Sequence, residues 1–510
     1  MNEDPSLLDR LFGPDFAAGR GVLWPRWIFL RCLGLIFFSA FYSLAFQIQG
    51  LIGPRGILPA GTYLREVAGM LPGLSRFQQV PTLLWLGASG ASDMALSALV
   101  WGGLIASVLL VFNLWPRGAI AVCLVLFLSF VSAAQDFSSY QSDGMLLEAA
   151  FLSLFFAPRG LRPGLGAESP PSRASLFLLR WEWFRIYFES GVVKLLSGDV
   201  QWRTLTAMDH YYENGPLPSW IGWYTQQLLP HGFHAATAAA TLLLELVVVW
   251  MAWLPRRFRI ACFLIVTPFQ VGIILTANYA FLNYLVLVLG FLLLDDRALA
   301  RLGLRTPAAV EARPAPRRRA IGAAVSAVAL VWIFYATIVP YLPSPGPLAA
   351  PARLLAPFRI ANQYGLFAVM TRARYEVEFQ GSRDGVTWIA YPFRYKPQDP
   401  AERPGVYAPY QPRFEWNLWF ASLGTWRENP WVVNAEVRLL EGSPEALALF
   451  RRDPFAGRPP ARVRAVLWQY WFTTPAEKKR TGNWWRRQGL GPYAPAAERR
   501  ADGKIEVQDL

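Results

Sequence analysis

Long apolar runs alternate with short polar connections through the first two thirds of the chain. A helix that crosses a bilayer needs about 20 mostly apolar residues. Runs of that kind fall at Trp27–Gln47, Met94–Asn113, Ala119–Ala134, Met145–Ala157, Leu176–Ser197, Ala236–Leu254, Ile260–Thr276, Tyr279–Leu294 and Gly322–Pro340. The fourth is short, and Pro268 is expected to kink the seventh. Beyond Pro340 the period changes. Tyr375-Glu-Val-Glu-Phe379 alternates apolar and polar residues, Asp384-Gly385 is a turn signal, and Val386–Ile389 resumes extended character. Further strands are expected at Trp431–Leu440 and Val463–Thr473, and helical pieces at Trp416–Ser422 and Pro444–Phe450. The pattern predicts a polytopic α-helical membrane bundle of about nine spans with a β-rich, β-sandwich-like C-terminal extramembrane domain. Residues 1–26 read as a cytoplasmic segment and 27–340 as the membrane region, with outside loops at 50–93 and 198–234. Residues 341–361 read as a linker, 362–493 as the C-terminal domain and 494–510 as a disordered tail.

Composition supports lipid as the solvent. The 510 residues are 54% hydrophobic and only 16% charged, against roughly 25% charged in an ordinary globular protein. The net charge of +14 does not imply nucleic acid, because the arginines sit in loops beside apolar runs. Arg117, then Arg159, Arg162 and Arg173, then Arg256, Arg257 and Arg259 occupy alternate short loops. The next alternate loop holds Arg297, Arg301, Arg305, Arg313 and Arg317-Arg-Arg319. Loops 135–144 and 277–278 hold no Lys or Arg. Positive loops stay cytoplasmic, so the N-terminus is expected inside and everything after Pro340 outside. The first run lacks a cleavage site and reads as a retained anchor. The arginine-, alanine- and proline-rich composition is a bias common in GC-rich bacterial genomes. Localisation is therefore expected in a bacterial inner membrane, or in the endoplasmic reticulum membrane of a eukaryote. Three cysteines, all within apolar runs, and three histidines offer no metal-ligand spacing. No metal or cofactor is expected.

Ionisable residues inside apolar runs carry the most information, because charge in lipid is costly unless paired or hydrated. Glu182, Arg185 and Glu189 repeat at i, i+3 and i+7 and share a helix face. Lys194 lies off that stripe. Two readings stand: a polar cavity with Lys194 as base or anion anchor, or an ion-pair network that fixes helix packing. Glu148 and Glu245 stand alone in their runs, with Asp143 at the mouth of the first, and each needs a partner such as Arg185 or Lys194. In loop 198–234, Trp202, Asp209, His210 and Tyr211 are candidates for interfacial or acid/base roles. In the C-terminal domain Tyr364, Phe367, Trp416, Trp419 and Phe420 are candidates to bind an apolar client, with core packing as the plain alternative.

Several separated motifs resemble the lipase maturation factor family. In the C-terminal domain they are Asn362-Gln-Tyr-Gly-Leu-Phe367, Glu378-Phe-Gln-Gly-Ser-Arg-Asp-Gly-Val-Thr-Trp388, Phe393-Arg-Tyr-Lys-Pro397, Pro409-Tyr-Gln-Pro-Arg-Phe-Glu-Trp416 and Leu439-Leu-Glu-Gly-Ser-Pro444. Upstream, Tyr140-Gln-Ser-Asp-Gly-Met-Leu-Leu-Glu148 and Arg180-Trp-Glu-Trp183 resemble its membrane region. The likeness runs from about Trp24 to Tyr493. It implies a membrane-embedded, chaperone-like folding factor. Vertebrate members act in the endoplasmic reticulum on dimeric lipases, with the C-terminal domain facing the client. The implied partners are membrane lipid and a secreted, lipase-like client, and the implied role is non-enzymatic. Tyr187-Phe-Glu-Ser-Gly-Val-Val-Lys-Leu195, with Trp202 beyond, is also similar to the membrane (HTTM) domain of vitamin K-dependent gamma-carboxylase. That likeness would place a catalytic base at Lys194, with Val193 where the enzyme has its first lysine. The alternative function it implies is an integral-membrane enzyme or a lipid- or quinone-binding protein.

Overall fold

The computed structural model describes residues 21–87, 91–138, 140–304, 318–342, 345–500 and 502–508. Most of the N-terminal segment 1–26, and Arg305, Arg313 and Arg317, lie outside the described residues.

The membrane region is built from mostly apolar helices of differing length. They are α1 (Leu23–Ala45), the short α2 (Ile48–Ile52), α3 (Asp93–Val111), α4 (Pro116–Ala133), α5 (Gln141–Phe156) and α6 (Arg173–Leu196). After these come α7 (His231–Leu246), α8 (Arg256–Thr276), α9 (Leu282–Gly290) and α10 (Arg318–Ile338). Local chemistry sets several starts. The Asp296 carboxylate accepts the first N–H groups of α1, from Leu23 at 3.1 Å and Trp24 at 2.8 Å. Ser92 caps α3 and Ser172 caps α6, while Pro116 opens α4. Among the described residues six stretches are long and apolar enough to cross a membrane: Leu23–Ala45, Asp93–Val111, Pro116–Ala133, His231–Trp253, Arg256–Thr276 and Ile321–Tyr341. The other three expected spans are helices as well, but α5 and α9 are short and α6 carries charges.

The C-terminal region departs from a sandwich. Its described strands form one antiparallel sheet of β1 (Arg374–Ser382), β2 (Ile389–Ala390), β3 (Arg462–Phe472), β4 (Trp485–Pro492), β5 (Ala497–Arg499) and β6 (Ile505–Val507). The order is β2-β1-β3-β5-β6, with β4 also on β3. Helices replace the second sheet, since Arg413–Ala421 packs on β1 and Trp431–Glu441 on β3. We call these helices α11 and α12, and Pro444–Leu447 α13. The Asp384-Gly385 turn does join two strands, although β2 is only two residues long. Two expectations are corrected. Trp431–Leu440 is helical, because Trp431, Val432, Ala435, Glu436, Leu439 and Leu440 are buried at helical spacing. The described part of the tail 494–510 is not structureless, because β5 pairs with β3, helped by an Arg462–Glu498 salt bridge of 2.7 Å, and β6 completes the edge.

The C-terminal domain sits on one end of the bundle. Arg438 donates to the Gly56 carbonyl at 2.9 Å and Asn417 to Asp136 O at 3.0 Å. Arg374 donates to Glu213 O at 3.0 Å, and Asn278 donates to Gly405 O at 3.0 Å. The arginine-bearing loops gather at the other end of α1. There Arg26 donates to the Ser169 carbonyl, Trp115 N–H to Leu161 O, and Arg256 pairs with Asp295.

Candidate functional site

The ionisable residues singled out in the apolar runs fall into three buried groups. The first surrounds Arg185 on α6. Its guanidinium pairs with Glu148 of α5 and donates to the Asn362 carbonyl at 2.5 Å, with Glu189 at 3.8 Å. The chain just before the C-terminal domain folds over this group. Asn362 N–H and Tyr364 OH each donate to Glu148 at 2.8 Å, and Tyr364 N–H donates to Glu189 at 2.6 Å. Tyr364 also stacks under the guanidinium, 5.2 Å away. Glu182 is fully buried beside them.

The second group pairs α6 with α7. Lys194 Nζ lies 2.9 and 2.8 Å from the two oxygens of Glu245, and 5.2 Å from the Trp202 ring centre. This pair lines a cavity of about 380 Å³ whose other walls are mostly apolar. Tyr187 donates to Gln270 at 2.7 Å, and Gln270 donates to Asn283 Oδ1 at 2.8 Å, on the same walls. The third group joins the two halves of the chain. Arg413 of α11 forms a two-pronged pair with Asp143 of α5, at 2.8 and 2.7 Å, with both side chains fully buried.

Sequence spacing missed Arg413, Asn362, Gln270 and Asn283. Only Arg413 is charged, and it lies 270 residues beyond Asp143 in a segment with no charge anomaly. In loop 198–234, Asp209 meets His231 at 2.9 Å, whereas the adjacent His210 is exposed. The histidine that meets Asp209 lies 22 positions on. Tyr211 and Trp202 are buried, and Trp202 donates to Phe367 O at 3.0 Å. Glu213 of the same loop accepts from Phe472 N–H at 2.6 Å, and burial raises its carboxyl above the usual range. In the C-terminal domain burial likewise pushes Glu415 up to about 7, against three backbone N–H groups that favour its ionised form.

The aromatic client candidates face mostly inward. Tyr364, Trp416 and Trp419 are buried and Phe367 is half-buried, so only Phe420 presents an exposed ring. Phe367, Trp416, Trp419 and Phe420 nevertheless line one groove of about 400 Å³ between the C-terminal domain and the bundle. Its rim carries Val369 at 65% exposure and Leu423 at 45%. Tyr211, Tyr279, Leu282 and Phe367 form a wall shared with the Lys194 cavity. Among the described residues no cluster of three or more His, Cys, Asp or Glu has the arrangement to hold a metal ion.

Both halves of this architecture match known families. Residues 24–301 match the lipase maturation factor transmembrane domain, and residues 360–495 match the lipase maturation factor C-terminal domain. The chain belongs to the lipase maturation factor family. It is 33% identical to Lipase maturation factor 1 of Bos taurus, over 94% of this chain and 90% of the relative. It is 32% identical to Lipase maturation factor 2 of Homo sapiens, over 92% of this chain and 82% of the relative. No solved structure matches the chain. The three buried groups fall within the family's two matched regions, and the Asp143–Arg413 pair joins one region to the other.

Proposed function

We propose that this multi-pass membrane protein is a maturation factor for secreted or exported proteins, and that its client is a lipase. The observation that carries the reading is the near full-length likeness to relatives named for lipase maturation, across both the membrane and the C-terminal regions. The client face is the groove rimmed by Val369, Phe420 and Leu423, since exposed apolar patches beside polar surface are docking sites. All nine helical runs cross the membrane, with the N-terminus cytoplasmic and the C-terminal domain periplasmic or lumenal. The test is secreted lipase activity in a host deleted for its own lipase maturation factor. Wild type restores activity. Phe420→Asp combined with Val369→Asp inserts normally and restores little. Full rescue by that variant removes the groove from the reading.

A second reading is favoured by one feature, the Lys194–Glu245 pair on the wall of an apolar cavity. It makes the bundle an integral-membrane enzyme or a lipid- or quinone-binding protein. Lys194→Ala alone is a poor probe, because it leaves Glu245 buried and uncompensated. Lys194→Met with Glu245→Leu keeps the volume and removes both charges. Normal yield with full rescue assigns the pair to helix packing, and normal yield without rescue makes it a working site.

A further inference from the structure

The cavity beside Lys194 has the shape of a slot. Its α7 wall consists of Phe233, Thr237, Thr241 and Glu245, spaced four residues apart along one stripe and so about 18 Å long at 1.5 Å per residue. The opposite wall comes from α8, with Phe269, Ile273 and Thr276 among its lining residues. These two helices belong to the least buried of the candidate spans, at 33% and 17%. Phe233 is 44% exposed, and Thr237 and Ile273 are half-buried. The slot therefore opens sideways between α7 and α8, into the layer where lipid tails lie.

Two features of its polar groups define the occupant. Lys194 and Glu245 neutralise each other at 2.8 Å, so the slot offers no free charge to an ionic headgroup. An added carboxylate would find no unpaired cation on the walls, since Lys194 is held by Glu245. Asn283 accepts from Gln270 at 2.8 Å through Oδ1, while its Nδ2 is buried with no hydrogen-bond partner among the described residues. A buried, unused donor calls for an acceptor oxygen. We propose that the slot binds an uncharged, single-chain lipid that enters from the bilayer, with a carbonyl or hydroxyl oxygen of its head accepting from Asn283. This rests on the lipid-binding form of the second reading, and it stands or falls separately from client maturation.

The test uses the purified full chain in phosphatidylcholine nanodiscs. The probe is a monoacylglycerol carrying a photoreactive diazirine in its chain, compared with the matching fatty acid and with phosphatidylcholine bearing the same chain. Adducts are mapped by mass spectrometry, and lipase rescue is scored independently. Monoacylglycerol adducts are expected on slot-facing residues of α6, α7 and α8, and an excess of unlabelled monoacylglycerol should compete them away. The fatty acid should label the slot at least about tenfold less. Asn283→Ala should weaken labelling about three- to tenfold, the value of one hydrogen bond, and Thr237→Trp should block the mouth and abolish it. Adducts spread evenly over the outer faces of all spans would mean annular lipid only and would overturn the proposal. So would equal labelling by the fatty acid, or wild-type labelling of folded Asn283→Ala. The competition arm needs no variant, so a misfolded substitution leaves the result decisive.

Discussion

The Asp143–Arg413 pair shows most directly how single residues hold the two halves together. Both side chains are fully buried, and the guanidinium is also used by the Phe137 carbonyl at 2.9 Å and faced by the Phe130 ring at 4.9 Å. Removing one partner of such a pair leaves a naked charge, at a cost of about 3–5 kcal/mol. Asp143→Asn is therefore expected to lower the melting temperature of the detergent-purified full chain sharply. Asp143→Leu with Arg413→Met should recover most of the loss, because the desolvation cost disappears with the charges. If the single variant melts like wild type, the pair does not join the halves. Asp143 itself was legible in the sequence, as were Glu148, Glu182, Arg185, Glu189, Lys194 and Glu245, since a charge in an apolar run stands out. Their partners were partly hidden. Lys194 and Glu245 lie in neighbouring runs, whereas Arg413, Asn362 and Tyr364 come from the far end of the chain. Nothing local in those segments signals a contact with the bundle.

Among elements, the helices of the bundle were readable because each is a long apolar run, and β1 and β3 because their side chains alternate or their β-formers cluster. Helix α12 was not. Its Trp-Val-Val start carries strand propensity, which packing overrides, and its buried positions follow the helical period instead. Strands β5 and β6 are three residues each, too short for alternation to mark them, and pairing of β5 with β3 and of β6 with β5 holds them extended. The end of α12 offers a sharp test. Gly442 takes the left-handed conformation at φ 70°, and an added Cβ would stand 2.6 Å from Pro459 Cγ. The conformation alone costs an L-residue about 1–2 kcal/mol, and a ring carbon that close adds a clash. Gly442→Ala should loosen α12 from β3, read as faster proteolysis within 431–465 of the full chain and a lower melting temperature. An unchanged digestion pattern would mean that the turn relaxes freely.

At the scale of the molecule, the question is how three charged or short helices coexist with six clear spans. Helix α5 is 16 residues long, about 24 Å at 1.5 Å per residue, against a hydrocarbon core of about 30 Å. Twelve of its residues are buried in protein, so neighbouring helices rather than lipid meet its ends and its two carboxylates. Arg185, Glu189 and Lys194 of α6 are likewise paired within the bundle. Length and hydropathy alone do not mark such helices as spans, because protein rather than lipid surrounds their polar groups. The count decides which side the C-terminal domain occupies, and α1 bears on it independently. Its first turn is capped by Asp296, while just beyond its last turn Gly50 packs so closely on α13 that an added Cβ would meet the Glu445 carbonyl. The start of α1 and the C-terminal domain thus lie at opposite ends of one clear span. On the proposed topology, with arginine-bearing loops inside, the domain is expected outside. Glycosylation sequons inserted after Gly457 and after Gly160, in separate full-length chains translated into microsomes, measure this directly. Both sites have open space around them and a positive φ, at 75° and 100°. Modification is expected at the first and not at the second. The reverse pattern would invert the whole molecule, and modification of both would mean that an even number of crossings separates Gly160 from the domain, which contradicts nine alternating spans.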